Sequence, residues 1–391
     1  MGSFNVGAAE EFVPTARLTP PPYETADLAV AAPNEVARPT QTNPVIRFLP
    51  VVTALAAVAA MAMVFHSRSG VTRNPAFMLF PVMMLVSAIA TVVSGSDRRG
   101  AEINTARAEY LGYLSGLRTK AVNNAVSQHY SLMWCHPEPD ALWTLIGGCR
   151  MWERRISAAD FGHVRIGLGT QRLASRLVAQ TIESTHQQDP VTMGAMNRFV
   201  AAHGTVAGVP VAIGLFGVVN VVGQRTQARA LLRAMVCQLA VMHSPVLVLI
   251  AAVVADLGQS EWDWLKWLPH NRHPRADDDL GPVRLVYPSV AAAKTALAGL
   301  HLDQWVVVVV DDADGIAILT IHSDEDSAAV SRLQITEDGL IAELAGGEEV
   351  LAHPDQMSYL AALTCAQRMA GYRAGGVDAA ATDGARWQDL A

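Results

Sequence analysis

The chain has 391 residues and a formal net charge of −7, with 29 Lys and Arg against 36 Asp and Glu. That balance argues against broad binding of nucleic acid, which needs clustered cations on phosphate. Cys135, Cys149, Cys237 and Cys365 form no CxxC pair and have no histidine at ligand spacing. Thiols packed as small apolar residues in a reducing compartment are therefore expected, not a disulfide framework or a structural metal.

Residues 1–44 are rich in Pro, Ala, Thr and Glu and poor in large apolar side chains. They are expected to lack fixed structure unless a partner orders them. Two uncharged apolar runs follow, Phe48 to Phe65 and Ala76 to Val93. Each holds about 18 residues, which at ~1.5 Å per residue covers most of a ~30 Å hydrocarbon core. With so short a loop between them, they predict a transmembrane hairpin over 45–96, with spans of about 46–66 and 75–94. A pair of buried core helices is the alternative. Arg38, Arg47, Arg98, Arg99 and Arg107 flank the pair, against Arg68 and Arg73 in the loop. That excess predicts a multi-pass inner (plasma) membrane protein with both termini cytoplasmic.

No proline interrupts residues 98–133, where Ile103, Ala106, Tyr110, Leu114, Leu117, Ala121 and Ala125 recur in steps of three or four. This narrow stripe predicts a helical stalk over 97–135, with Tyr110, Leu114 and Leu117 as candidates for partner docking. An ordinary domain helix is the alternative. Pro137 and Pro139 close the stalk, and the cluster Arg150-Met-Trp152-Glu-Arg-Arg155 follows. Trp152 there is either part of a docking surface or a buried ring under snorkelling arginines.

From about Phe161, β-like runs alternate with helical stretches. Val209–Gly214, Val218–Val222, Val246–Val254, Val306–Val310 and Ile316–Ile321 read as strands; Gln224–His243 and Val290–His301 read as helices. The alternation predicts an α/β domain over 136–374 around a mostly parallel sheet, P-loop-like in its order. A strand ending at Val222-Gly223 turns into a helix, where a phosphate-binding loop would sit. The loop chemistry is missing. The lysine position falls on Ala228, the hydroxyl position on Arg229 and the second glycine on Gln227, so the groups that hold β/γ-phosphates and Mg²⁺ are absent. Val306–Val310 runs into Asp311-Asp312, which resembles a Walker B ending but is read as a pair of turn formers beside so degenerate a loop. No catalytic residue, no bound cofactor and no metal are expected in this segment.

Trp262, Trp264 and Trp267 crowd one short stretch. Trp262 and Trp264 are two apart and face different sides, so at least one should enter the core while another serves a contact between domains or subunits. His270 and His273 precede Asp277-Asp-Asp279, read as an exposed acidic loop in preference to a metal site. Residues 375–391, rich in Gly, Ala and Asp, read as a linker to further domains.

Several of these stretches carry a family resemblance: the paired apolar runs, Arg118 to Trp134 with His136-Pro137 and Leu142-Trp143, and Arg150 to Arg155. Asp160-Phe161 to Gly167, Pro190-Val-Thr192, Arg198-Phe199-Val200, Ala228 to Ala240, His243-Ser-Pro245 and Trp262 to His270 continue it. On these residues the chain resembles, from Arg47 to about Gly371, the N-terminal part of EccC. That family supplies the FtsK/SpoIIIE-type ATPase component of mycobacterial type VII (ESX) secretion systems. The resemblance implies a transmembrane hairpin, a stalk and a first, degenerate ATPase-like domain that anchors, docks and couples. Three later ATPase domains would carry ATP and Mg²⁺. It further implies EccB, EccD and EccE as partners, a lipid bilayer around the hairpin, homo-oligomerisation, and WXG-type substrates recognised by the later domains. An active ATP-hydrolysing domain and a DNA translocase of the same superfamily are the competing readings.

Overall fold

The computed structural model describes residues 10–33, 44–67, 76–180, 189–254, 259–279, 281–298, 304–313, 315–321, 330–344 and 346–375. The chain divides into two compact units. In chain order it begins β1 (Glu10–Phe12), β2 (Leu28–Val30), α1 (Pro44–Ser67), α2 (Ala76–Cys135), α3 (Leu142–Leu145), β3 (His163–Arg172) and β4 (Leu177–Ala179). It continues α4 (Pro190–His203), β5 (Thr205–Gly214), β6 (Val218–Val222), α5 (Arg225–Met242), β7 (Val248–Val254), α6 (Gln259–Trp262), β8 (Arg272–Asp278) and β9 (Gly281–Arg284). The last elements are β10 (Val286–Tyr287), α7 (Val290–Ala298), β11 (Trp305–Asp311), β12 (Ile316–Ile321), β13 (Val330–Ile335), β14 (Leu340–Glu343), β15 (Glu349–Pro354), α8 (Tyr359–Met369) and β16 (Tyr372–Ala374).

One unit comprises Thr25–Asn124 and Leu173–Gly204. Leu114 and Leu117 of α2 are buried there against Val30, Met196 and Phe199, with Tyr110 at the margin. The steps of three and four along α2 thus place apolar side chains on one face, which this unit covers with its own residues. β2 pairs in parallel with β4. Asp189 caps α4 by accepting from Thr192 N and holds Arg107 in a bidentate pair at 2.7 and 2.9 Å.

Among the described residues no helix is long and apolar enough to cross a membrane. This overturns the transmembrane hairpin and, with it, the multi-pass inner-membrane placement. The apolar runs are embedded in longer helices of mixed character. α1 includes Arg47 and Pro50, and α2 runs on for 60 residues through Asp97, Arg98 and Arg99 without a break. Of the stretch His66 to Pro75, read as the hairpin loop, residues 68–75 lie outside the described residues.

The other unit comprises Met1–Glu24, Ala125–Arg172 and Thr205–Ala391. Its sheet has ten strands in the order β10-β7-β11-β12-β6-β13-β14-β15-β3-β5. The expectation of a mostly parallel sheet does not hold. β10, β7 and β11 are mutually parallel and β6 is parallel to β13, whereas β12, β14, β15, β3 and β5 enter by antiparallel pairing. The reason lies in the connections, because a parallel neighbour needs a crossover and a tight turn permits only an antiparallel one. β11 reaches β12 through a turn closed by Asp312 N to Gly315 O, and β13 reaches β14 through Thr336 N to Gly339 O.

β7 and β11 are covered on both faces, which is why they read as unbroken valine-rich runs. Val307, Val309 and Ile250 share a core with Leu231, Leu232 and Met235 of α5. Val306, Val308 and Leu249 form a second core with Ala293 and Leu297 of α7. Residues 10–17, expected to lack fixed structure without a partner, are ordered by the chain itself. β1 pairs in parallel with β16, and Arg17 binds both oxygens of Asp160 at 2.6 and 2.7 Å.

Candidate functional site

β6 and β11 run in the same direction, both being antiparallel to the intervening β12. Their C-terminal ends therefore lie along one edge of the sheet, where open α/β sheets present ligand sites. Gly223 makes the exit from β6 with φ +146°; a Cβ there would lie 2.9 Å from Ile335 O. Only glycine fits both the backbone conformation and the approach of β13. Gln224 then caps α5 in an extended conformation, with no side-chain hydrogen bond.

One turn into α5, Ala228 is buried in the core, and Arg229 projects toward β11. Arg229 Nε donates to Asp311 Oδ2 at 2.6 Å, and Trp262 Nε1 donates to the same oxygen at 2.8 Å. Arg225 adds an ion-pair contact, Nη1 to Oδ1 at 3.4 Å, and donates through Nη2 to Asp312 O at 2.7 Å. Asp311 is 1% exposed. A carboxylate so buried requires charged, hydrogen-bonded partners; Oδ2 has both kinds, whereas Oδ1 has only the charge of Arg225. Asp312 turns the other way: Oδ1 accepts from Gly315 N at 3.1 Å and shapes the β11–β12 turn.

The structure thus joins the two stretches that the sequence marked separately, but in a form unsuited to Mg²⁺-nucleotide. A cation at Asp311 Oδ2 would have to displace an arginine and an indole donor. The residues present do not fit the metal. Among the described residues no group of three or more His, Cys, Asp or Glu is arranged to hold one.

The remaining candidates divide by exposure. Trp264 is fully buried, and its ring centroid lies 6.2 Å from that of Trp262. Trp267 is 41% exposed. Tyr110 donates to Ala31 O at 2.8 Å, while Leu114 and Leu117 serve their own unit's core. Trp152 is fully buried at φ +59°, a left-handed conformation that costs a bulky residue on the order of 1–3 kcal/mol. It is held there by Trp152 N to Val241 O at 2.8 Å and Nε1 to Ala240 O at 3.1 Å.

Sequence reasoning missed the polar network around Trp152. Arg150 pairs with Glu153 at 2.6 Å, and Arg154, fully buried, pairs with Asp160 at 3.1 Å and donates to the carbonyls of Cys135 and His163. Burial opposes ionisation of Asp160, but the Arg17 hydrogen bond and the charge of Arg154 outweigh it and hold the carboxyl at about 2. Burial, aided by the Arg154 charge, pushes His136 down to about 3. Burial likewise lowers His270 to about 4, where its Nε2 lies 2.8 Å from His243 O. The acids Glu153 and Asp160, interleaved with the basic run, were the available signal that these arginines turn inward. His273, grouped in the sequence with His270, accepts from the amides of Arg275 and Ala276 instead.

The chain is 45% identical over 380 residues to ESX-4 secretion system protein EccC4 of Mycobacterium tuberculosis, a match covering 95% of this chain and 30% of that protein. The chain belongs to the EccC family. It is also 30% identical over 397 residues to ESX secretion system protein EccC of Thermomonospora curvata, covering 93% of this chain and 30% of that one. With ESX-1 secretion system protein EccCa1 of M. tuberculosis the identity is 30% over 302 residues, 69% of this chain and 40% of the relative. The chain spans about 30% of the length of the first two EccC relatives. No family model matches it.

Proposed function

We propose that this segment of an EccC protein is a catalytically silent docking and coupling module of a type VII secretion complex. The observation that carries the reading is the Arg229–Asp311 pair, which closes the place where a hydrolase would hold metal and phosphate. The unit that carries Ala125–Arg172 and the chain from Thr205 onward acts as that module. ATP and Mg²⁺ belong to other parts of the longer EccC chains, as does recognition of WXG-type substrates. EccB, EccD and EccE are the partners on which this segment docks, within a homo-oligomeric assembly. Exposed Trp267 is the most accessible of the tryptophan candidates.

Isothermal titration of the 391-residue chain with ATP, with and without Mg²⁺, tests the silent site. The expected result is no Mg²⁺-dependent binding in the micromolar range. Tight Mg²⁺-dependent binding that disappears in Asp311→Asn would overturn the reading. Docking is tested by purifying the ESX assembly with a Trp267→Ser chain: recovery of EccB, EccD and EccE should fall while the chain's own melting temperature holds. Unchanged recovery removes Trp267 from the interface.

A further inference from the structure

The β8–β9 hairpin sets Arg272 directly opposite Arg284 as an antiparallel cross-strand pair. Directly opposed side chains share a face with Cβ atoms roughly 5 Å apart, and like charges in that position repel. Arg272 Nε and Arg284 Nη1 are buried donors with no hydrogen-bond acceptor among the described residues. No ion pair among those residues involves either side chain.

A third guanidinium stands close by. Burial, then the charge of Arg284, then that of Arg373 on β16 lower the proton affinity of Arg272. Asp278 on β8 offsets part of the charge at Arg284, and Glu11 is the register partner of Arg373. Arg272 thus faces Arg284 across the hairpin and feels the charge of Arg373, with its own Nε buried. None of the three takes part in the Arg229–Asp311 network.

We propose that Arg272 and Arg284, with Arg373 beside them, form a binding site for a phosphoryl oxyanion. A buried guanidinium donor without an acceptor calls for an anion that brings oxygen lone pairs into the site. The charge count selects the class. Opposed arginines with a third nearby need more than the single negative charge of a carboxylate, and a phosphomonoester carries about −1.5 to −2 at neutral pH. The planar guanidinium fork also matches two oxygens of one tetrahedral group, which a lysine ammonium cannot do. The ligand is either free inorganic phosphate or the phosphoryl group of a larger molecule such as a nucleotide.

Thermal unfolding of the 391-residue chain in sodium phosphate, against sodium chloride at equal ionic strength, tests the site alongside Arg272→Gln and Arg284→Gln. At a phosphate concentration ten times the dissociation constant, the parent should melt about 2–4 °C higher. Neither variant should show that rise. In chloride alone each variant should melt at or above the parent, because the repulsion is gone. An equal rise in parent and variants is a general salt effect and overturns the proposal. Lower melting of both variants in chloride overturns it too, since the arginines would then serve the hairpin itself. Equilibrium dialysis of the parent with radiolabelled phosphate needs no variant and should show saturable uptake of about one phosphate per chain; its absence sinks the site. Titration with AMP separates the sources. Equal affinity for AMP and phosphate assigns free phosphate, whereas tenfold tighter AMP assigns a nucleotide, and either result upholds the site.

Discussion

Arg229 and Asp311, 82 residues apart in the chain, meet with 2.6 Å between guanidinium nitrogen and carboxylate oxygen. The acid side chain is fully enclosed and that of the arginine is 15% exposed. Removing one member of such a pair leaves a buried charge unsatisfied, at a cost of about 3–5 kcal/mol. Arg229→Ala should therefore lower stability by that order in urea unfolding. The double variant Arg229→Leu/Asp311→Val should recover only part of the loss: replacing both members of a pair by apolar groups can be nearly neutral, but Trp262 Nε1 then loses its acceptor.

Gly223→Ala should cost about 2 kcal/mol or more. The backbone there lies at φ +146°, and the added methyl would meet Ile335 O at 2.9 Å. Backbone atoms cannot yield as a flexible side chain can. The urea midpoint of the variant checks this, and an unchanged midpoint would mean that the β6–α5 turn relaxes freely.

Leu117→Ala should lose about 2–4 kcal/mol, the usual cost of emptying a packed site. Leu117 shares its core with Val30, Met196 and Phe199. Trp267→Ser, at a more exposed ring, should shift stability far less. Comparing the two in urea separates the residue that holds its own unit from the one free to meet a partner.

Stability should fall progressively as the pH is lowered from 7 toward 3. His136 and His270 have folded values depressed to about 3 and about 4 by burial. Below the ordinary histidine value near 6.5 the unfolded chain therefore binds protons that the folded chain refuses. Asp160, held at about 2, adds to the loss between the ordinary carboxylate range and that value. His136→Gln should flatten the pH dependence of the urea midpoint between pH 6.5 and 4. An unaltered slope would show that His136 takes no part.

The elements flanking the site were legible because local chemistry dictates them. Gly223 breaks the β6 run, and the valines of β11 are buried on both faces, so each shows in a short window of sequence. The meeting of Arg229 with Asp311 was not legible, since no periodicity encodes a pairing across 82 residues. β13 to β15 escaped notice because they are half-exposed and mix polar with apolar positions. Missing those strands made the sheet look parallel. The inward turn of Arg150 and Arg154 defeated the usual expectation that arginines face water. The membrane reading failed for a related reason: local hydropathy ignores that α1 and α2 extend beyond the apolar runs through charged residues.

The pairing of β1 with β16 constrains how this protein is made. Glu10–Phe12 is synthesised before every strand of the large sheet and Tyr372–Ala374 after all of them. The first strand must therefore wait, unpaired, until synthesis has passed β16, and only then can the unit close. Such late closure exposes a β-forming segment to chaperones and to neighbouring nascent chains over that interval.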